Sequence, residues 1–225
     1  ELLVNPFPIL PLHFTIPAKM HQPQLIREHY DKMRQLLDRF EQLTVFYNGP
    51  KCGASAPDHM HLQAGMGSHL PVRDNWDMLY SNRQTLLVAQ DGAELAALTN
   101  YACPAFAIIA NNADTDAQLF ETLYQALPQR EDETEPMFNI LKWRHNNVFI
   151  TVVIPRDKHR PACYSAEGDA QMLISPGALD MGGLIITPRK EDFDRIDTPL
   201  LEALFKEVGM PQNTFEEVKQ KVANP

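Results

Sequence analysis

Cysteine is scarce in this sequence, and its scarcity excludes two ways of stabilising a fold. The 225 residues include three cysteines, at positions 52, 103 and 163, and none of them lies in a CxxC pair. An odd number with wide spacing gives neither a disulfide framework nor a structural zinc site. We therefore expect a protein of a reducing compartment, the cytoplasm.

Basic residues, long apolar runs and targeting signals are also lacking. Lysine and arginine number 20 against 29 aspartate and glutamate, so the formal net charge is −9. This balance argues against nucleic acid as a partner, because nucleic-acid binders carry a basic face. No stretch approaches the roughly 18–20 apolar residues of a membrane span. The start, Glu1-Leu2-Leu3-Val4, is no signal peptide, and we expect upstream residues to be missing.

What is present indicates one globular α+β domain over residues 1–225. Apolar residues make up 44 % of the chain, and no linker rich in proline, glycine or serine divides it. At this length a chain buries roughly 70 % of its unfolded surface, which allows one sizeable core. We expect a mostly antiparallel sheet with helices packed on one face. The patterns predict strands at 10–16, 44–47, 59–64, 85–89, 106–110, 148–154 and 184–187, helices at 22–40, 114–127 and 199–208, and an exposed charged loop at 129–136.

The most informative segment is 47–63, which reads YNGPKCGASAPDHMHLQ. Alternate residues of a strand share a face, so His59, His61 and Gln63 should point one way. Met60 and Leu62 should then face the core. The sequence therefore predicts a polar row on one side of a sheet.

A loop of small residues precedes this row, and its backbone N–H groups can approach an anion closely. Two imidazoles and an amide beside such a loop suit attack on a phosphorus centre. A neutral histidine can be the nucleophile, while its neighbours stabilise charge on the phosphoryl oxygens.

Two other interpretations of the histidine pair stay open at this point. An HxH pair on a strand is also a common arrangement for a divalent metal. A third ligand could then come from His13, His21 or His69. Alternatively, the pair could be purely structural. The spacing of the loop favours the chemical interpretation.

The segment resembles the histidine-triad superfamily, in the branch where glutamine replaces the last histidine of HxHxH. That branch holds galactose-1-phosphate uridylyltransferase, diadenosine tetraphosphate phosphorylase and GDP-L-galactose phosphorylase. The resemblance rests on NPFPILPLH at 5–13, on the eleven-residue step from Asn48 to His59, and on HMHLQ itself. Weaker similarity follows at 148–156, 159–161 and 175–183. The core motif half is thus 5–65 and the second half 145–190.

The resemblance implies a role for each matching residue. His61 matches the histidine that takes the nucleotidyl group, and His59 matches one that orients the site. Gln63 matches the amide that binds the phosphoryl oxygens. Asn48 matches an asparagine that fixes the loop, and Lys51 a lysine that contacts phosphate. No cofactor and no metal are implied.

Four further residues are expected to bind substrate. Gly53 and Ser55 belong to the small-residue loop, and Asn5 and Phe7 to the segment expected beside the nucleotide. The family often has serine three residues before the first histidine. Here Ala56 occupies that position, and Ser55 lies one residue earlier.

These residues lead to three functional hypotheses. The first is a nucleotidyltransferase of the phosphorylase or transferase type, acting on a nucleoside polyphosphate or nucleotide sugar with a phosphate or sugar-phosphate acceptor. The second is a nucleotide hydrolase on the same scaffold. The third is an inactive module that binds nucleotide or metal. A homodimer is a further expectation from the relatives.

Overall fold

The computed structural model describes residues 1–224 and contains one nine-stranded sheet. Neighbouring strands all pair antiparallel, in the order β1-β2-β4-β3-β8-β9-β7-β6-β5. The strands are β1 Leu3–Val4, β2 Phe14–Pro17, β3 Leu43–Asn48, β4 His61–Met66, β5 Arg83–Val88, β6 Glu94–Leu98, β7 Phe106–Ala110, β8 Phe138–His145 and β9 Val148–Pro155. The predicted α+β class with a mostly antiparallel sheet is confirmed.

Helices cover both faces of this sheet. The helices are α1 Tyr30–Arg39, α2 Pro71–Asp74, α3 Trp76–Ser81, α4 Ala113–Ala126, α5 Ala178–Met181, α6 Lys190–Arg195, α7 Thr198–Val208 and α8 Gln212–Ala223. Buried residues of α1, α4 and α8 form one core with the sheet, and we call this side the α1/α4/α8 face. The opposite face packs against α2, α3, α5 and the end of α7. The sequence predicted helices on one face only, because the short helices of the second layer have no long apolar period.

The centre of the sheet explains why two cores form. The strand β8 buries alternate residues on alternate faces, as period-two geometry requires. Phe138 and Ile140 join the core of the α1/α4/α8 face, while Leu141 and Trp143 join the opposite core. Both faces of β8 are therefore buried, and the strand shows no regular alternation of apolar and polar residues that a sequence pattern would reveal.

Several predicted elements are confirmed within one or two residues. These are the strands at 44–47, 106–110 and 148–154 and the helices at 114–127 and 199–208. The side chain of Asp197 caps the last of these helices by accepting from the N–H of Leu200 at 2.9 Å. The strands β3 and β4 pair antiparallel, from Leu43 with Met66 to Phe46 with Gln63. Within residues 1–224 no helix has the length and apolar character needed to span a bilayer.

Other predictions are wrong in part. The strand expected at 184–187 is coil, and the helix expected at 22–40 begins at Tyr30 after a short 3₁₀ turn, Arg27–His29. Strands β6 and β8 and helix α8 were not predicted. The charged segment 129–136 is not wholly solvated, because Glu135 is 3 % exposed.

Candidate active site

The predicted polar row lies at the end of β3 and the start of β4. Met60 and Leu62 belong to the core of the α1/α4/α8 face, as predicted. His61 and Gln63 alternate with them and therefore point to the opposite face. The strand was expected to begin at His59, but it begins at His61. His59 instead precedes the strand, with its Nε2 atom 2.9 Å from the carbonyl oxygen of Ala18.

The ring of His61 is held in one orientation by the backbone. Its Nδ1 atom lies 2.9 Å from the carbonyl oxygen of His59. A carbonyl only accepts hydrogen bonds, so Nδ1 must carry the proton in this contact. In the neutral ring, Nε2 then keeps a free lone pair. His61 as a whole is buried, at 6 % exposed.

A second chain of hydrogen bonds fixes the amide of Gln63. The N–H of Ile9 donates to Nδ1 of His13 at 3.0 Å, so the proton of the neutral His13 ring is on Nε2. That Nε2–H donates to Oε1 of Gln63 at 2.9 Å. Burial lowers the pKa of His13, which favours the neutral ring, and the hydrogen bond with Gln63 partly offsets this shift. With Oε1 engaged, the NH₂ group of Gln63 is the part left to donate.

Asn48 joins the small-residue loop to the second half of the chain. Its Oδ1 accepts from the backbone N–H of Ala178 at 2.7 Å and from Nδ2 of Asn139 at 3.0 Å. Gly53 adopts φ +94° nearby, and a Cβ there would lie 2.7 Å from the Cα of Gly177. The loop after β3 therefore packs directly on the segment 175–183, whose similarity to the family was weaker in the sequence.

Of the other expected binding residues, Asn5 contacts the polar row, whereas Phe7 and Ser55 are exposed to solvent. Asn5 lies beside the row, with Nδ2 3.5 Å from Oε1 of Gln63 and 3.2 Å from Oγ1 of Thr15. Phe7 is 83 % exposed, and Ser55 is also exposed.

Lys51 forms an ion pair with the segment 129–136. Its Nζ lies 2.8 Å from Oδ2 of Asp132 and 3.8 Å from Oε1 of Glu133. The hydrogen bond to Asp132 raises the pKa of Lys51. The lysine therefore stays charged, and the carboxylate of Asp132 binds its ammonium group.

Three residues near the row were not singled out in the sequence. Gln24 is fully buried and bonds the backbone of both His61 and Asn48. Arg156 is also buried and donates to Oδ1 of Asn139 at 2.7 Å and to the carbonyl of Pro176 at 2.9 Å. Arg156 could have been noticed because it ends the segment 148–156, where the sequence has weaker similarity to the family. Gln24 and Asn139 lie inside segments assigned to a helix or left unassigned, so their sequence gave no signal.

Two alternative chemistries find little support in this geometry. Cys52 lies in the loop, but burial raises the pKa of its thiol to about 12, so it is no thiolate near neutral pH. Over residues 1–224 no three histidine, cysteine, aspartate or glutamate side chains are grouped to hold a metal ion. The metal alternative thus has no complete ligand set: the Nε2 of His13 bonds Gln63, while His21 and His69 are exposed.

Comparisons with known proteins identify the family of the chain and solved structures with a similar fold. Residues 78–225 match the family described as GDPGP1-like, C-terminal domain, and residues 1–66 match a domain of unknown function, DUF4922. The fold is similar to yeast Ap4A phosphorylase Apa2 in complex with Ap4A, at 21 % identity and TM-score 0.66, covering 93 % of this chain and 73 % of that one. The same yeast protein in complex with AMP gives 21 % identity and TM-score 0.64, over 93 % and 72 %. No curated protein matches the sequence.

Proposed function

The chain belongs to the GDPGP1-like, C-terminal domain family, and from this premise we propose that it is a nucleotidyltransferase of the phosphorylase or transferase type. Its resemblance to the histidine-triad superfamily is confirmed by the fold. The proposed substrate is a nucleoside polyphosphate or a nucleotide sugar. The proposed intermediate is a nucleotide bound covalently to His61.

The first half-reaction begins at Nε2 of His61. Its lone pair attacks the α-phosphorus, a P–N bond forms, and the P–O bond to the leaving phosphate or sugar phosphate breaks. The imidazole becomes positively charged in this step. The Nδ1–H contact with the carbonyl of His59 stabilises that charge and holds the ring in line.

In the second half-reaction an acceptor oxygen attacks the same phosphorus and the P–N bond breaks. The acceptor is a phosphate or a sugar phosphate, which arrives as an anion and needs no base. Water would need one, and the amide of Gln63 does not titrate. Gln63 instead donates its free NH₂ group to a phosphoryl oxygen, so its chemistry favours transfer over hydrolysis.

The remaining residues take supporting roles in this proposal. The backbone around Gly53, together with Ser55 and Lys51, would bind the phosphates, and Asn48 would hold their loop. His59 supplies the carbonyl that orients His61. Asn5 and Phe7 would lie beside the nucleoside, where an exposed aromatic ring is available to a base.

Location and assembly are proposals of the same kind. Three free cysteines, two of them buried, suit the reducing cytoplasm. A homodimer is proposed from the resemblance alone, and sedimentation of the full-length protein would test it.

One observation carries the proposal: the contact of His61 Nδ1 with the His59 carbonyl leaves Nε2 as the free nucleophile. A single-turnover experiment with a nucleotide labelled at the α-phosphate tests it. We expect a burst of one label per chain that an added acceptor then discharges. A panel of ADP, GDP, UDP and their sugars, with inorganic phosphate or sugar phosphate as acceptor, would identify the substrate.

The outcome of the burst distinguishes the alternatives. Release of free nucleotide at the same rate with and without acceptor would favour a hydrolase. Absence of any labelled protein would favour a binding module. Loss of the label on chelation and its return with stoichiometric zinc would favour a metal site.

A further inference from the structure

A buried glutamine fills the gap where β3 and β4 separate. The two strands pair from Leu43 with Met66 to Phe46 with Gln63. The same register would bring Asn48 opposite His61, but the strands no longer bond each other there. The carboxamide of Gln24, fully buried, lies between them.

This carboxamide uses both of its polar atoms on the site. Its Oε1 accepts from the backbone N–H of His61 at 2.7 Å. Its Nε2 donates to the carbonyl of His61 at 3.0 Å and to the carbonyl of Asn48 at 3.0 Å. The orientation of the amide is therefore unambiguous, because two carbonyls need the two N–H groups. The side chain of Gln24 therefore links Asn48 to His61 where β3 and β4 no longer pair with each other.

The main chain of Gln24 is held as firmly as its side chain. Its N–H donates to the carbonyl of Pro57 at 3.2 Å, within the loop that leads to His61. Its carbonyl lies 3.0 Å from the hydroxyl of Tyr47, which also contacts the carboxyl group of Glu135. Glu135 accepts in turn from the N–H of Ile26 at 3.1 Å. The residue is thus anchored on both sides.

We infer that Gln24 is a positioning residue, which sets the distance between the backbones of Asn48 and His61 and thereby the aim of the His61 ring. This inference rests on the proposed function for its catalytic consequence. The ring of His61 takes its orientation from the carbonyl of His59, two residues earlier. A clamp on the backbone of His61 controls that short contact directly. The same clamp fixes the start of the small-residue loop at Asn48.

Removing the amide would leave three buried backbone groups without their partner. The N–H of His61 and the two carbonyls would then separate or admit water. A displacement of about 1 Å at a reacting atom can cost about a hundredfold in rate. We therefore expect a loss in the chemical step that exceeds any loss in nucleotide binding.

The test replaces Gln24 in the full chain. Gln24→Met keeps the volume and removes the hydrogen bonds, and Gln24→Glu keeps the shape but removes the N–H donors. Thr151→Val is the matched control, because Thr151 is fully buried and bonds Tyr30 rather than the site. The readouts are the single-turnover rate of labelled-intermediate formation, the Kd of the nucleotide, and the ¹⁵N signals of His61, which report the tautomer.

We expect both Gln24 variants to form the intermediate at least about thirtyfold more slowly, with Kd changed less than about threefold, as misaligned reacting atoms require. The His61 signals should show a mixture of tautomers. Thr151→Val should change neither. If Gln24→Met does not fold, Gln24→Glu alone decides the question.

Unchanged His61 signals and an unchanged rate in a folded Gln24 variant would overturn the inference. An equal rate loss in Thr151→Val would also overturn it, since the effect would then be general destabilisation. Failure of the unaltered protein to form any intermediate would refute the proposed function instead. The tautomer signals would in that case still show whether Gln24 positions His61.

Discussion

Two buried polar clusters lie on the α1/α4/α8 face, and they differ in whether a buried charge has a partner of opposite charge. In the first, Nζ of Lys142 contacts the carboxylate of Asp116 and lies 3.1 Å from the hydroxyl of Tyr30, which donates to Asp116 at 2.9 Å. In the second, the carboxyl group of Glu135 is hydrogen-bonded to the hydroxyl of Tyr47. It has no salt-bridge partner in the part of the chain described here. The first cluster balances its charges, and the second does not.

This difference shows which cluster can influence the site. The pair of Lys142 and Asp116 is closed, and its contacts end within the core. In the second cluster the protonation of Glu135 decides which hydrogen bond Tyr47 makes. The hydroxyl of Tyr47 has a single proton, which it can donate either to Glu135 or to the carbonyl of Gln24. When Glu135 is protonated it donates to Tyr47, and Tyr47 donates to Gln24. When Glu135 is ionised, Tyr47 donates to the carboxylate and Gln24 loses that bond.

The largest effect on stability is expected from breaking the charge-balanced cluster. Asp116→Ala leaves Lys142 fully buried without its counter-charge, and such a loss costs about 3–5 kcal/mol of unfolding free energy. Chemical denaturation at neutral pH measures it. The folded fraction should still form the labelled intermediate, because this cluster does not reach the site. A loss below about 1 kcal/mol would contradict the account, since that is the range of an exposed pair.

The second prediction concerns the uncompensated carboxyl group. Burial raises the pKa of Glu135 to about 7, against 4.5 for an exposed glutamate. The folded protein therefore keeps a proton that the unfolded chain releases, so stability falls as pH rises from about 4.5 to 7. Glu135→Gln should remove this decline and gain about 3 kcal/mol at pH 8 relative to the unaltered protein.

Denaturant midpoints from pH 5 to pH 8 measure this difference. The conservative amide can donate to Tyr47 as the protonated acid does, so the bond from Tyr47 to Gln24 should persist at all pH values. Parallel pH profiles for the two proteins would show that Glu135 titrates normally.

A smaller effect is expected from the chain that orients Gln63. His13→Phe removes the donor to Oε1 of Gln63, so the amide can rotate and its NH₂ group is no longer reserved for substrate. We expect nucleotidylation to slow about tenfold, the size of one buried hydrogen bond. Ile9→Ala is the control, because its contact with His13 comes from the backbone N–H. Equal single-turnover rates for the two variants would contradict this role for His13.

The smallest effect is expected at the exposed ion pair. Asp132→Asn removes the carboxylate that hydrogen-bonds Lys51 and leaves the longer contact with Glu133 at 3.8 Å, so the lysine is freer to bind substrate phosphate. KM for the nucleotide should fall roughly threefold, as exposed pairs allow, and the effect should vanish in high salt. Asp38→Asn, which removes an exposed pair with Arg34, is the matched control. A rise in KM for Asp132→Asn would show that the carboxylate supports binding instead.

The same comparison explains how far the sequence could predict this molecule. The alternation HMHLQ was sufficient to place His61 and Gln63 on one side and Met60 and Leu62 on the other. The alternation did not reveal that the strand starts at His61, because the segment with Gln24 binds the backbone where β3 would otherwise pair. Such a contact joins residues 37 positions apart and leaves no periodic signal.

The buried clusters were equally invisible for a physical reason. Glu135 stands in a run of charged residues that ordinarily stays in solvent. Its burial depends on the hydroxyl of Tyr47 and the N–H of Ile26, which only the folded chain brings to it. Lys142 lies in β8, a strand buried on both faces and therefore without alternation. Local patterns predict elements and faces, whereas these polar contacts depend on tertiary structure.

The central claim is that Nε2 of His61 carries the nucleotide, and mass spectrometry of the trapped protein tests it most directly. The protein is mixed with a nucleotide substrate without acceptor, quenched in base and digested. We predict one nucleotidyl mass on the peptide that contains His61, labile in acid and stable in base, and none on His61→Ala. A persistent acid-labile, base-stable adduct on His61→Ala, or an adduct mapped to another residue, would contradict the account.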